Sequence, residues 1–483
     1  MCGLKIQPLC SYKEIRPGVC LVFLLFISLF HQLEISAQPV FTANKILFQG
    51  LRRTKTTIVS REIAFKPGQK ILIADTSVLF RKSAANVFNT HLFNFCRYEL
   101  DSVRFDSAGN CSGDVIFHVS ERWYTFPSPI FELADRNFNE WLYDRKADIR
   151  RVNVGIRFIQ KNVRGRNEDL ILSVQGGFTR RFDFGYVIPY LDKQQIFGLK
   201  LKASFANNKD VAVRSVGNRL VYRRDETSFG RERMNAGFQI SARRNIYDYH
   251  FLDVNYYFNR ISDSTFLENP AYFLGRDYQR FGEIRYSFVS DHRNFRNFGT
   301  KGTWLSLFFS RNGILPVDNF RIWTVRGILA KYATFTPWLF LGSKIDVELS
   351  TNEKQPYLGT RVLGFDNRFV RGYERYVMEG NFNVHTRNTV RFKVVSTHYH
   401  ANWFPVKQFR FIPVDVYISP FVDAGYVRNA FVLEENKRLI NTPLLGYGVG
   451  LNFVTFYDVV FRAEYSLTRH GDKGLYLSFL SDI

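Results

Sequence analysis

RVLGFDNRFVRGYERYVMEGN, residues 361–381, lies between two stretches of alternating hydrophobicity. Turn and loop residues are normally small and polar. This loop instead carries Arg361, Arg368, Arg371 and Arg375 among Phe365, Phe369, Tyr373 and Tyr376. Such a mixture needs apolar cover and counter-charge together. The expectation is a loop that folds back into the lumen of a membrane β-barrel, held there by an acid from another strand. Val370, Arg371, Gly372 and Tyr373 stand at its centre. Arg371 offers a planar fork of N–H donors that suits a carboxylate. Gly372 permits a tight backbone turn. Tyr373 adds an apolar body with a hydrogen-bonding end.

Outward from this segment, helical periodicity is absent from 124 to the C-terminus. Alternating segments of ~10 residues recur there, separated by polar turns and longer loops. They lay out as sixteen strands, with the first near 128–135, the eleventh at 337–349, the twelfth at 384–397 and the last at 473–481. An even number puts both barrel ends on one side, where connections should be short. Those at 191–195, 335–336 and 455–456 are short, while those at 207–230, 351–382 and 429–441 are long. A weak segment at 213–223 is assigned to a hairpin inside a long loop. The connection at 291–301 is long for its side. The 49 Phe and 25 Tyr suit an aromatic-girdled barrel, although composition alone leaves a large soluble all-β protein equally open.

Residues 1–37 read as a secretory signal. Lys5, Lys13 and Arg16 precede the 12-residue apolar core 19–30, which is too short to span a bilayer, and Ala37 suits cleavage. Residues 38–123 then read as a strand, two helices and two strands. Lys66-Pro67-Gly68 separates the helices, and Asp75 is the expected cap of the second. Val78, Ala85, Phe88 and Leu92 form its expected apolar face. A hairpin follows, turning at 106–110. It places Cys96 near Glu121 rather than Cys111, which disfavours a disulfide.

The α+β module opens ILFQGLRRTKTTIVSREIAFKPGQ and closes GDVIFHVSERW, and it resembles a polypeptide-transport-associated (POTRA) domain. Val370-Arg371-Gly372-Tyr373 resembles the VRGF/Y motif of the BamA/TamA outer-membrane assembly superfamily. Phe421-Val422-Asp423-Ala424-Gly425 is similar to that superfamily's F-x-D-x-G strand, and Gly446, Gly448 and Gly450 to the glycine-rich strand after it. Gly474, Leu477 and Phe479 resemble the C-terminal signal strand of outer-membrane proteins, although four residues follow the aromatic. The resemblance covers nearly the whole mature chain. It implies a membrane all-β fold: a 16-stranded antiparallel transmembrane barrel over 124–483, with a periplasmic POTRA domain over 38–123. Asp423 is an acid in an otherwise apolar strand, so it should face the lumen and meet Arg371.

The resemblance further implies a non-enzymatic assembly, insertion or translocation factor. Its POTRA edge would receive unfolded strands by β-augmentation, and its barrel seam would template them. Expected partners are unfolded outer-membrane or secreted polypeptides and outer-membrane lipids or lipopolysaccharide, with accessory lipoproteins or periplasmic chaperones as further candidates. A dedicated secretion transporter and a passive channel are the alternatives. The net charge of +22 suits phosphate-rich partners, but the basic residues are dispersed and no nucleic-acid motif occurs. No hydrolase or zinc motif is present. His398 and His400 share a strand face without an evident third ligand, so no metal or cofactor is expected.

Overall fold

The computed structural model describes residues 39–478 apart from 108, 193, 195, 226–228, 244, 246, 296–297, 352–354, 366–367, 401, 404–410 and 456–458. The expected leader over 1–37 and Phe479 of the terminal strand lie outside the described residues. The chain forms two compact units. One comprises the chain up to Arg52 together with Val59–Arg122; the other comprises Arg53–Ile58 and everything from Trp123.

The first unit holds a four-stranded sheet of β1 (Val40–Gln49), β2 (Lys70–Leu72), β3 (Phe93–Phe105) and β4 (Cys111–Glu121) in the order β2-β1-β4-β3. β1 and β4 run parallel, and the other pairs are antiparallel. α1 (Thr56–Ser60) is a single turn, and α2 (Ile73–Phe88) packs on the sheet. The buried face of α2 is not the expected one. Phe80, Ala84 and Val87 are buried, while Val78 and Phe88 are exposed. Both sets have helical spacing, so periodicity alone could not choose between them. The choice is made by Phe41 of the sheet, whose ring meets Phe80 edge-on with centroids 5.6 Å apart. Asp75 lies in the first turn without capping it. Cys96 and Cys111 are free. Cys96 stands opposite Val119, a residue near Glu121 as expected, and Cys111 stands opposite Phe105.

The second unit is a barrel of sixteen antiparallel strands, and all sixteen expected segments are in it. They are β5 (Thr125–Leu133), β6 (Val152–Gln160), β7 (Asp169–Gly177), β8 (Thr179–Ile188), β9 (Phe197–Asn208), β12 (Arg231–Arg243), β13 (Asp248–Ile261) and β14 (Tyr278–Asp291). There follow β15 (Gly302–Asn312), β16 (Ile322–Thr336), β17 (Leu339–Ser350), β20 (Phe382–His400), β21 (Phe411–Arg428), β22 (Leu444–Thr455), β23 (Val460–Thr468) and β24 (Lys473–Ser478). The segment near 213–223 is the separate hairpin β10 (Asp210–Val216) and β11 (Arg219–Arg224), turned by Gly217 and Asn218 at φ 57° and 60°. The pair β18 (Arg361–Leu363) and β19 (Met378–Glu379) closes the base of the long β17–β20 loop.

The polarity of the barrel is inverted relative to a soluble protein. Val154, Ile156 and Phe158 of β6 and Leu445, Tyr447, Val449 and Leu451 of β22 point outward, exposed. Asp346, Arg391, Asp423 and Glu464 point inward, buried. Period-two alternation produces this directly: one face meets lipid and the other a polar lumen. No helix among the described residues is long and apolar enough to cross a membrane. The long connection 292–301 folds into the barrel mouth, where Phe298 is buried against Phe340, Tyr417 and Val460. Asp291 and Arg293 pair at its start, Nε to Oδ1 at 2.9 Å.

Candidate functional site: a loop locked inside the barrel

Residues 364–365 and 368–377 of the β17–β20 loop lie in the lumen. The backbone turns at Val370, whose carbonyl accepts from the Tyr373 N–H at 3.0 Å, and Gly372 takes φ 93°. Val362, Leu363, Val370, Tyr373 and Met378 pack with Val427 and Leu444 of the wall. This burial supplies the apolar cover that the loop's composition demands. Glycines on the wall make the approach possible. A Cβ at Gly425 would lie 2.6 Å from Val370 Cγ2, and one at Gly446 would overlap the Arg371 carbonyl oxygen.

Arg371 is 2% exposed and Asp423 fully buried. Arg371 Nε donates to Asp423 Oδ2 at 2.7 Å, and Nη2 donates to Oδ1 at 2.7 Å. Nη1 donates to Glu464 Oε1 at 3.1 Å and Nη2 to Thr389 Oγ1 at 2.9 Å. The guanidinium lies over the Phe421 ring, 3.8 Å from its centroid. Asp423 also accepts from the Asn388 N–H at 3.0 Å, and Arg387 stands 3.8 Å away. With Arg462 3.9 Å from Glu464, three cations thus face two anions. Burial works against the Arg371 charge, but Asp423 and Glu464 outweigh it and raise its pKa. The pair is desolvated and geometrically complete, which is where removing one partner becomes costly.

The rest of the loop is tied down as well. The Tyr373 hydroxyl and His470 Nδ1 are 2.8 Å apart, the Tyr376 hydroxyl donates to Asp472 at 2.8 Å, and the Tyr476 hydroxyl donates to the Gly372 carbonyl at 3.1 Å. Glu374 is buried; one carboxyl oxygen accepts the Gly372 N–H at 2.8 Å and the other has no hydrogen-bond partner among the described residues. Burial, with nearby Glu464, pushes its pKa up to about 8.

A second loop, 134–151, joins this one to the end of the barrel. Arg136 donates to the carbonyls of Gly364 and Tyr376, and Asn137 Nδ2 donates to the Glu374 carbonyl at 2.7 Å. Arg375 pairs with Asp144. The same loop reaches the edge of β24. Asn139 Oδ1 accepts the Leu477 N–H at 2.9 Å, and Asn139 Nδ2 donates to the Leu477 carbonyl at 3.2 Å. The Tyr143 hydroxyl donates to the Leu475 carbonyl at 3.1 Å. The Asn139 side chain thus mimics a neighbouring strand. Among the described residues, no ladder joins β24 to β5.

The structure brings together Val370, Arg371, Gly372 and Tyr373 with Phe421, Asp423 and Gly425. Gly474 and Leu477 lie on β24, where Leu477 contacts the second loop. Sequence reasoning missed Glu464 and the role of loop 134–151. Glu464 was legible from parity, since it alternates with outward residues on β23 and faces Gly450. Asn139 carried no signal. The His398 and His400 rings are 5.7 Å apart, and the described residues hold no group of three metal-ligating side chains.

A family model described as the Omp85 superfamily domain matches residues 162–455. No curated protein sequence matches. Among solved structures, BamA from Haemophilus ducreyi lacking POTRA domains 1–3 is similar at 13% identity and TM-score 0.56, over 90% of this chain and 83% of that one. CdiB from Escherichia coli is similar at 12% identity and TM-score 0.46, over 98% of both chains.

Proposed function

We propose that this chain, which belongs to the Omp85 superfamily, inserts or translocates polypeptides at the bacterial outer membrane. The observation that carries the reading is the state of the β24 edge. Its backbone groups at Leu475 and Leu477 are held by side chains of loop 134–151 rather than by a paired strand. Side-chain hydrogen bonds of this kind exchange more readily than a ladder, so an incoming strand can replace them with backbone bonds of its own. The work is non-enzymatic on this reading: the folding of the substrate strand drives insertion.

The α+β unit, taken as a periplasmic POTRA domain over 38–123, delivers the substrate. In its sheet order β3 is an edge strand, and Leu100, Val103 and Phe105 on it are exposed. The Arg371–Asp423 pair serves as the lock that keeps the β17–β20 loop in the lumen while the edge of β24 exchanges partners. Depletion of the protein tests the reading. Loss of many outer-membrane barrels supports general insertion, and loss of one exported polypeptide assigns dedicated secretion. An unchanged outer-membrane protein content, with ion conductance from the purified barrel, would replace the proposal with a passive channel.

A further inference from the structure

Away from the Arg371 site, the lumen holds a cavity of about 500 Å³ whose wall includes Arg181 on β8, Arg231 and Arg233 on β12, and Arg285 on β14. Two of these arginines have carboxylates of their own. Arg181 pairs with Asp183 at 2.8 Å, and Arg285 pairs with Glu283 at 2.6 Å. Arg231 and Arg233 form no ion pair among the described residues, and the Nε of each is buried without a hydrogen-bond partner.

A third arginine comes from the β17–β20 loop. Arg361 opens β18, two residues beyond Gly359 of the cavity wall, and its Nε is likewise buried without a hydrogen-bond partner. Glu379 faces Arg361 across the β18–β19 ladder but turns its carboxylate to the Ser215 hydroxyl, 2.8 Å away. The Tyr272 hydroxyl lies beside Arg231 and that of Tyr357 beside Arg361, with the two rings 5.6 Å apart. The Arg361 guanidinium lies over the Tyr357 and Phe365 rings, 5.1 and 4.9 Å from their centroids. Asn235, Asn259 and Gln279 add amides to the cavity wall.

Like charges in a desolvated setting repel, and folded proteins pair them or neutralise them. Here Arg231 and Arg233 line one cavity and Arg361 lies two residues beyond its wall, each with an unused Nε donor, and among the described residues neither Arg231 nor Arg233 forms an ion pair. We propose that Arg231, Arg233 and Arg361 form an oxyanion site in the barrel lumen that takes a phosphate group. A phosphate brings a charge near −2 and several acceptor oxygens, which suits three guanidinium groups and two phenols better than a single carboxylate does. Either free phosphate or a phosphorylated lipid headgroup carries this chemistry.

The test uses the folded full chain in detergent, titrated at constant ionic strength with inorganic phosphate and, as reference, chloride. Phosphate should raise the thermal midpoint by several degrees in a saturable way, and chloride should not. Arg233→Gln should weaken the phosphate response at least about tenfold. It should also raise the midpoint in phosphate-free buffer, because it removes an uncompensated charge. Arg361→Gln alters no barrel strand and should weaken the response in the same way, so it stands in if Arg233→Gln fails to fold. A parallel titration with glycerol 3-phosphate reports the source: a tighter response than to inorganic phosphate assigns a lipid headgroup, and an equal or weaker one assigns free phosphate. Equal midpoints in phosphate and chloride, or a full phosphate response in both variants, would overturn the site.

Discussion

Arg371 reaches two carboxylates, and they are not equivalent. Asp423 takes two short bonds and Glu464 one longer one. Arg371→Ala should therefore destabilise the barrel most, by about 3–5 kcal/mol, because it takes the nearest cation from both buried acids and leaves them only Arg387 and Arg462, at 3.8 and 3.9 Å. Asp423→Ala should cost less, since Glu464 still holds the guanidinium, and Glu464→Gln least. A double-mutant cycle on Arg371 and Asp423, read by thermal unfolding in detergent, should give a coupling of ~1–3 kcal/mol; simple additivity would mean that no lock exists. Glu374 predicts a pH dependence. Its folded pKa of about 8 lies above the ordinary value of 4.5, so the folded loop binds the proton more tightly than the unfolded chain. That contribution is fully present below about pH 4.5 and is lost as the pH rises through about 8. Limited proteolysis of the loop should accelerate between about pH 7 and pH 9. Glu374→Gln should flatten that rise while keeping the acceptor for Gly372.

At the scale of elements, loop 134–151 connects the locked loop to the edge of β24. Asn139→Ala removes both side-chain bonds to Leu477 and leaves that backbone open to water. Amide exchange at Leu477 should quicken by at least about tenfold in that variant, while exchange in the middle of β22 stays as it was. Unchanged exchange at Leu477 would mean that Asn139 does not guard the edge. A photo-crosslinker at Phe105 on β3 should capture unfolded barrel precursors, and lack of capture would count against strand reception there. Strand positions were legible because alternation is a local property that each segment carries by itself. The phase of α2 was not. Val78 and Phe88 satisfy the helical period as well as Phe80 and Ala84 do, and only the facing sheet distinguishes them. Asn139 was invisible for the same reason: a lone asparagine in a polar loop shows no sign of the strand edge it will meet.

For the molecule as a whole, the inverted polarity is the strongest physical statement. Ile156 sits at the middle of β6 and points outward, 53% exposed. Ile156→Arg should cost about 2–4 kcal/mol when folding is measured in lipid bilayers, and much less in detergent. A similar penalty in both would argue that this face does not meet lipid. The barrel, its sixteen strands and the Arg371–Asp423 contact were all readable from the chain. Hydrophobic alternation fixes which residues face inward, and an arginine in an aromatic loop and an aspartate in an apolar strand each need a partner. What the sequence by itself could not determine was which groups meet across large separations. Glu464 lies beside Arg371, Asn139 lies on Leu477, and Arg361 comes near the strand that carries Arg231 and Arg233, only because barrel closure brings distant strands and loops together. Such proximity is a property of the closed surface and not of any local pattern, so the tertiary structure alone decided it.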